Sequence, residues 1–323
     1  GDIHAAVDHA LQSTNLSQAA RLIEQHALPR LYQGEVAKVI GWFDRLPEEI
    51  LQSAPMLCIF KAWALVLMQR GARREEVGQA LQAAGQALDQ VSAGDELRNR
   101  VAGHAACIRA FLLRNPALIS KQPESLIALC QQAQRLLPAE EKAIRSTAAL
   151  NMAYGYLALA DLDSARLAFI QAQEDGIAGG NYYASIYGPI NLILIALLAG
   201  RLREALHLCE ANIERFNRLL AGQFFPPIGA LHIHKGNILV ECDDLTQASQ
   251  DLTEGLDLVR WAGEAMAPKK GYTALARLRA IQGDRPAMLE TLQALEETWP
   301  EGALYAQALR HRLLLRHWPL DAR

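Results

Sequence analysis

The sequence predicts an all-α protein, a solenoid of stacked antiparallel helix pairs, and three observations carry that reading. Strand signals are almost absent, because the chain is rich in Ala, Leu, Gln, Glu and Arg and poor in runs of Val and Thr. Apolar positions recur at intervals of three and four, the period of a helix with one buried face. The same helix, tight turn and helix also return at a nearly constant spacing, which marks a repeat array.

The clearest unit is "LNMAYGYLALADLDSARLAFIQA", residues 150–172. Met152, Ala153 and Tyr156 lead into an Ala-Asp-Leu turn at 160–162, and Ala165, Phe169 and Ala172 follow it. Aligning on the small residue after the turn brings in three more units. The second is "INLILIALLAGRLREALHLCEANI", with Leu192, Ile193, Ala196, Gly200, Leu202, Ala205 and Cys209. The third, "HKGNILVECDDLTQASQDLTEGL", has Gly236, Leu239, Asp243, Leu245, Ala248, Leu252 and Gly255. The fourth, "ALARLRAIQGDRPAMLETLQAL", has Ala276, Gly283, Met288 and Leu292. The key position falls at Ala165, Ala205, Ala248 and Met288, at intervals of 40, 43 and 40 residues. An earlier pair fits more loosely, "STNLSQAARLI" around Ala19 and "VLMQRGARREEVGQAL" around Gly71.

Two short helices cannot bury their own apolar faces in water, so each pair must lean on the next. Small residues such as Ala153, Ala165 and Gly236 belong where two antiparallel helices cross, and large ones such as Tyr156, Leu192 and Phe169 fill the gap to the neighbouring pair. The expected organisation is one helical-repeat solenoid over 1–323: looser repeats at 1–114, an interrupting loop at 115–123 ("NPALISKQP", with two prolines), and regular repeats at 124–323. The chain opens at Gly1 without an initiator Met and closes on "HRLLLRHWPLDAR", inside what reads as another helix. Both ends suggest a piece of a longer polypeptide. A terminal helix at 303–317, apolar at Leu304, Ala308 and Leu315, would be exposed and prone to self-association.

The small residue of the first helix, the aromatic three residues on, Gly or Asp at the turn and Ala in the second helix resemble the tetratricopeptide repeat. The resemblance covers 150–295 well and 1–90 loosely, with periods longer than the standard 34 residues, and it implies a right-handed superhelix. The segment 19–71 is similar to the start of the helical-repeat region of MalT-like regulators, the ATP-dependent transcription activators with a LuxR-type DNA-binding end. The residues that carry this are Ala20, Leu22, the Gly34–Glu35 turn, Trp42, "LPEE" at 46–49, Pro55, Ala62–Trp63–Ala64 and Gly71. In that family the repeat domain lies between a nucleotide-binding module and the DNA-binding module and receives the inducer. The resemblance therefore implies a cytoplasmic, effector-sensing domain of a bacterial transcriptional regulator, with ATPase and DNA-binding neighbours as partners.

Composition narrows the alternatives. Lys plus Arg is 32 and Asp plus Glu is 35, a formal net charge of −3, so no basic surface for direct nucleic-acid contact is indicated. The five cysteines, Cys58, Cys107, Cys130, Cys209 and Cys242, are odd in number and never at CxxC spacing. They read as small buried hydrophobes of a reducing compartment. No apolar run reaches the length of a membrane span. No G-x-x-x-x-G-K-[ST] occurs, so no phosphate-cradling loop is present in the sequence. The Gly-rich "DGIAGGNYY" at 175–183 follows a helix, lacks the Lys, and reads as a helix–helix turn. His232 and His234 in "HIH" are two apart, about 200° round a helix, and cannot share one metal ion. Arg73–Arg74 and Lys269–Lys270 read as solvated turns or single ligand contacts. No Ser/His/Asp or Cys/His set assembles from spacing, so neither an enzyme nor a cofactor or metal is expected.

What remains is the inner wall, lined by the first helix of each pair. The candidates for ligand contact are Tyr154, Tyr183, Tyr187, Asn191, Asn237, Lys270 and Arg277. Asn151 and Asn191 fall at equivalent places one step round from that face. Rings, amides and a cation are what a small sugar-like, aromatic or acidic effector needs, and the leucines and isoleucines among them (Ile190, Leu194, Leu197, Leu198) favour one that is partly apolar. Three tyrosines lie within six residues, 182–187, ahead of Pro189 at the opening of the most apolar helix. The "QFFPP" turn at 223–227 holds a second aromatic pair, Phe224 and Phe225, which read as capping hydrophobes. The alternative function is a scaffold that holds a peptide or partner protein in the groove.

Overall fold

A computed structural model describes residues 3–13, 16–68, 74–91, 94–261 and 266–318. Gly71 and Arg73 lie outside these residues. All regular structure among the described residues is helical. The chain divides into two compact units, Gly1–Gly188 and Pro189–Arg323.

The first unit opens with α1 (Ile3–Gln12), α2 (Leu16–Tyr32), α3 (Val36–Phe43), α4 (Glu48–Ser53), α5 (Pro55–Met68), α6 (Arg74–Gln90) and α7 (Asp95–Leu113). The proline-flanked stretch at 115–123 holds one helical turn, α8 (Pro116–Ile119), entered through a bond from the Ala117 amide to the Asn115 side chain at 2.9 Å. Then come α9 (Pro123–Leu136), α10 (Lys142–Ala158) and α11 (Leu162–Gly179). Helix α12 (Tyr182–Leu198) begins before the unit boundary and ends beyond it, so its tyrosines form the first turns and Pro189 lies in its interior. The second unit continues with α13 (Leu202–Leu220), α14 (Gly229–Glu241), α15 (Leu245–Val259), α16 (Met266–Ile281), α17 (Arg285–Thr298) and α18 (Ala303–His317).

The turn inside each regular pair repeats down to its backbone angles. Ala160, Gly200, Asp243 and Gly283 all take the left-handed conformation, with φ of 58°, 72°, 62° and 77°. The next residue is Asp in three of the four pairs, and its carboxylate caps the second helix. Asp161 accepts from the Ser164 amide at 3.1 Å, Asp244 from Gln247 at 3.2 Å and Asp284 from Ala287 at 3.0 Å. Arg201 stands at that place in the second pair and forms no side-chain cap, pairing instead with Glu204 at 2.8 Å. Four residues on, Ala165, Ala205, Ala248 and Met288 are all at 0% exposure. The small residues of the crossing are also where the spacing put them. Ala153 and Ala276 are fully buried, and a Cβ on Gly236 would sit 2.7 Å from Leu252 Cγ.

The first unit has in addition a buried polar tie between three helical segments. The Trp63 indole N–H of α5 donates to His104 Nδ1 of α7 at 3.1 Å. Indole can only donate, so Nδ1 must accept and the ring proton resides on Nε2. Nε2 donates at 2.7 Å to Glu141, the residue before α10, which Arg100 also contacts. Burial raises the Glu141 carboxyl, but bonds from His104 and Arg100 outweigh it and hold the group below the usual carboxylate value.

Four of the five cysteines are buried, as expected of small apolar residues, but Cys242 is exposed. It caps the end of α14 just before the left-handed turn, where the chain has already left the core. No helix among the described residues is long and apolar enough to cross a membrane.

Candidate functional site

The seven candidate residues divide between the units: Tyr154, Tyr183 and Tyr187 in the first, Asn191, Asn237, Lys270 and Arg277 in the second. The repeat register sorts them further. Tyr154, Asn237 and Arg277 occupy one register position, with Leu194 as the fourth member, and Tyr187 and Lys270 share another. Asn151, Asn191 and His234 share a third, and all three are buried.

In the first unit the half-buried Tyr154 packs edge-on against Phe169, ring centroids 5.7 Å apart at 81°. The Arg114 guanidinium lies 4.5 Å from the Phe111 centroid and 5.8 Å from that of Tyr154. One turn earlier on α10, Asn151 is at 0% exposure, and neither atom of its carboxamide has a hydrogen-bond partner. That is costly for a group offering two donors and an acceptor. The stretch 175–183 holds a helix–helix turn, as its composition implies, but a shorter one: 175–179 still belong to α11, 182–183 already to α12, and Gly180 takes the left-handed conformation that ends α11, with φ of 74°. Asn181 then fastens the start of α12 to α10. Its Nδ2 donates to the Ala143 carbonyl at 3.0 Å and to Thr147 Oγ1 at 3.0 Å, and its Oδ1 accepts from the Ala184 amide at 3.2 Å. Tyr183 and Tyr187 follow on the turns fixed in this way, both half-buried.

In the second unit the candidate face is formed by α14 and α16, which pack on one another. Arg277 Nη2 meets Glu241 Oε1 at 2.5 Å. One end of the face places buried His234 beside Lys270. Burial first, and then the Lys270 charge, push the His234 imidazole down to about 4. Lys270 is exposed by area, yet packed closely enough that desolvation lowers its own ammonium. Asn237 lies half-buried between these two contacts along α14. The neighbouring Lys269 places its Nζ 3.7 Å from the Trp299 centroid and 5.0 Å from that of Tyr305, a cation–π arrangement. It is therefore a packed group and not a solvated turn.

Sequence reasoning missed His234 and Glu241 as members of this face, although the repeat register would have found His234 beside Asn151 and Asn191. The two histidines of "HIH" do point apart. His234 answers to Lys270 of α16, while His232 Nδ1 donates to Asp251 of α15 at 2.9 Å. Among the described residues no group of three or more His, Cys, Asp or Glu is placed to hold a metal ion.

Helix pairs with a fixed left-handed turn, an Asp cap in three of the four and a fully buried residue four positions on define a tetratricopeptide-type helical-repeat region. The model of the MalT-like TPR region matches residues 103–318, well over half of the chain, and the chain belongs to that family. The residues in 19–71 that resemble the start of such a region lie before the matched stretch. No curated protein matches at a significant level. Among solved structures, a Rap protein complexed with competence and sporulation factor aligns with a TM-score of 0.55 at 9% identity, over 98% of this chain and 80% of that one. NprR in complex with its cognate peptide NprX aligns with a TM-score of 0.50 at 14% identity, over 100% of this chain and 86% of that one. At such identities the likeness is one of fold.

Proposed function

We propose that this chain is the effector-sensing region of a bacterial transcriptional regulator. A ligand taken on the first-helix face biases the array between two conformations, and cytoplasmic ATPase and DNA-binding modules of the full-length polypeptide read the bias. Family membership supports the setting, and Asn151 is the observation that carries the reading. A buried carboxamide without partners costs about 1–3 kcal/mol, which no packing contact returns. A ligand that accepts from Nδ2 and donates to Oδ1 offsets that cost. Such a ligand shifts the equilibrium only by binding one state better than the other.

The surrounding chemistry favours a small, partly apolar effector with polar groups. In the first unit Tyr154, Tyr183 and Tyr187 supply rings; on its own face the second unit offers the amides of Asn191 and Asn237 and, from Lys270 and Arg277, positive charge for an acidic or oxygen-rich end. A peptide is the second reading, favoured by the NprR fold neighbour, which was solved with its cognate peptide. Self-association is a further part of the proposal: Leu304 and Leu315 of α18 are 82% and 65% exposed.

The test is the thermal midpoint of the chain against sugars, aromatic acids, alkanols, nucleotides and short peptides. One compound should raise the midpoint with concentration. Asn151→Leu should raise the midpoint of the unliganded chain while abolishing the response, and Tyr187→Ala in the same unit should weaken it; Asn237→Ala tests the second unit's face separately. Binding of a peptide alone would replace the small-effector reading with the second one. A response untouched by all three substitutions would overturn the assignment of this face.

A further inference from the structure

Independently of that reading, we propose a second recognition site on the other side of α14, for a primary amine or guanidinium group. His232 and Lys235, three residues apart on α14, turn towards α15. There they meet Asp251, which is 2% exposed. Its carboxylate accepts from His232 Nδ1 at 2.9 Å, from Lys235 at 2.9 Å and from Gln247 Nε2 at 3.0 Å. Burial raises the Asp251 carboxyl, but these three donors outweigh it and hold the group below its ordinary value, so it stays charged. Since Nδ1 gives its proton to Asp251, Nε2 is the ring nitrogen left for another partner. It faces Glu254 with 3.7 Å between Nε2 and Oε1, too long for a direct hydrogen bond.

His232 is 8% exposed, whereas the Glu254 side chain is 61% exposed. The buried, oriented Nε2 and the reachable carboxylate thus open on the same cavity, where one donor group lying beside the pair reaches both. Both line a cavity of about 210 Å³ walled by Phe224, Phe225, Asn217 and Leu258. Phe225 is fixed by stacking on Phe216, with centroids 6.2 Å apart and planes at 17°. Phe224 has 67% of its surface in solvent, an open π face beside an acidic group, and therefore a place for a cation. Asn217 also lines the adjoining open groove of about 490 Å³, where Glu210 and Glu214 stand on α13 beside Ile213.

The charges around the two depressions favour the same ligand. Lys235 is already neutralised by Asp251, and Arg218 lies 3.7 Å from Glu214. Once these pairs are set against one another, the acidic groups left over are Glu210 and Glu254. An ammonium or guanidinium on a short apolar stem satisfies both acceptors and lays its stem on the phenylalanines. That chemistry comes either from a free amine or from an Arg side chain of a partner.

The test is titration of the full chain, ¹³C-labelled at histidine, with agmatine and with the peptide acetyl-Ala-Arg-Ala-amide. The His232 ring resonance is assigned by its loss in His232→Gln. It should shift saturably with at least one probe. Glu254→Gln should weaken that binding by about tenfold, the order expected for one charge-assisted hydrogen bond, and Phe224→Ala should weaken it several-fold. Both positions are exposed, so these variants fold, and Glu290→Gln on the exposed side of α17 should bind as the parent does. A response to agmatine assigns a free amine, and a response to the peptide alone assigns an Arg side chain. No response to either probe, equal response to the dianion glutarate, or unchanged binding by Glu254→Gln would overturn the proposal. None of these outcomes bears on the first-helix face.

Discussion

Ala160 and Asp243 hold left-handed backbone angles that glycine holds at the same place in the other two turns, at 200 and 283. An L-residue there costs roughly 1–2 kcal/mol, against the larger unfolded-state entropy of glycine. Ala160→Gly should therefore stabilise the chain by about 0.5–1 kcal/mol, and Gly200→Ala should destabilise it by a similar amount. Urea midpoints at equal slope measure both. His234 makes a second claim at this scale. Its folded value of about 4 lies below the ordinary 6.5, so between these pH values the unfolded chain binds a proton that the folded chain refuses. Its contribution is intact above pH 6.5 and is lost as pH falls towards 4, in total on the order of 3 kcal/mol. The depressed carboxyls of Asp251 and Glu141 act lower, from about their unfolded values of 3.8 and 4.5 downward. Between pH 7 and 5 the parent should thus lose roughly 2 kcal/mol more than His234→Gln does, measured as unfolding free energy at the two pH values. Equal losses would show that His234 is protonated in the fold.

The elements hold together through close approaches that only glycine allows. Gly229 of α14 and Gly255 of α15 face each other, so that a Cβ on Gly255 would lie 2.8 Å from the Gly229 carbonyl oxygen, and one on Gly229 would lie 2.6 Å from that of Gly255. Alanine raises intrinsic helix stability by about 1 kcal/mol. Here the backbone must separate, an overpacking cost of about 1–3 kcal/mol. Gly255→Ala should therefore destabilise the chain, and a rise in its midpoint would show that the helices give way freely. Gly255 was legible in the sequence because it falls in the aligned units, as was the buried residue after each turn; the caps of Asp161, Asp244 and Asp284 lay in the same units and went unread. Local turn chemistry and helical period determine those features. The contacts of His234 with Lys270 and of Glu241 with Arg277 were not legible, since they depend on the axial register of α14 against α16, which no local signal records. The cavity at Glu254 was hidden for the same reason: Phe224 read as a cap because its acidic neighbour is 30 residues away in the chain. Cys242 was misjudged because burial was inferred from residue type alone.

At the scale of the molecule, each unit has a core of its own. One cluster runs from Val7 to Ala148 in the first unit, and two others, Leu239 to Leu278 and Ala276 to Leu313, lie in the second. In a repeat array each pair is stabilised only by its neighbours, so a lesion weakens nearby pairs and fades along the chain. Helix α12 is the covalent link, with seven residues before the boundary at Pro189 and ten from it onward. Pro189 removes one backbone hydrogen bond from that link, which lowers the cost of its opening there. Gly255→Ala should accordingly lower amide protection in α14–α17 and leave α5–α10 at parental values, read by hydrogen exchange at a urea concentration below the first transition. Protection falling equally in both sets would make the chain one cooperative unit, and a signal entering either unit would then reach the other without a separate relay through α12.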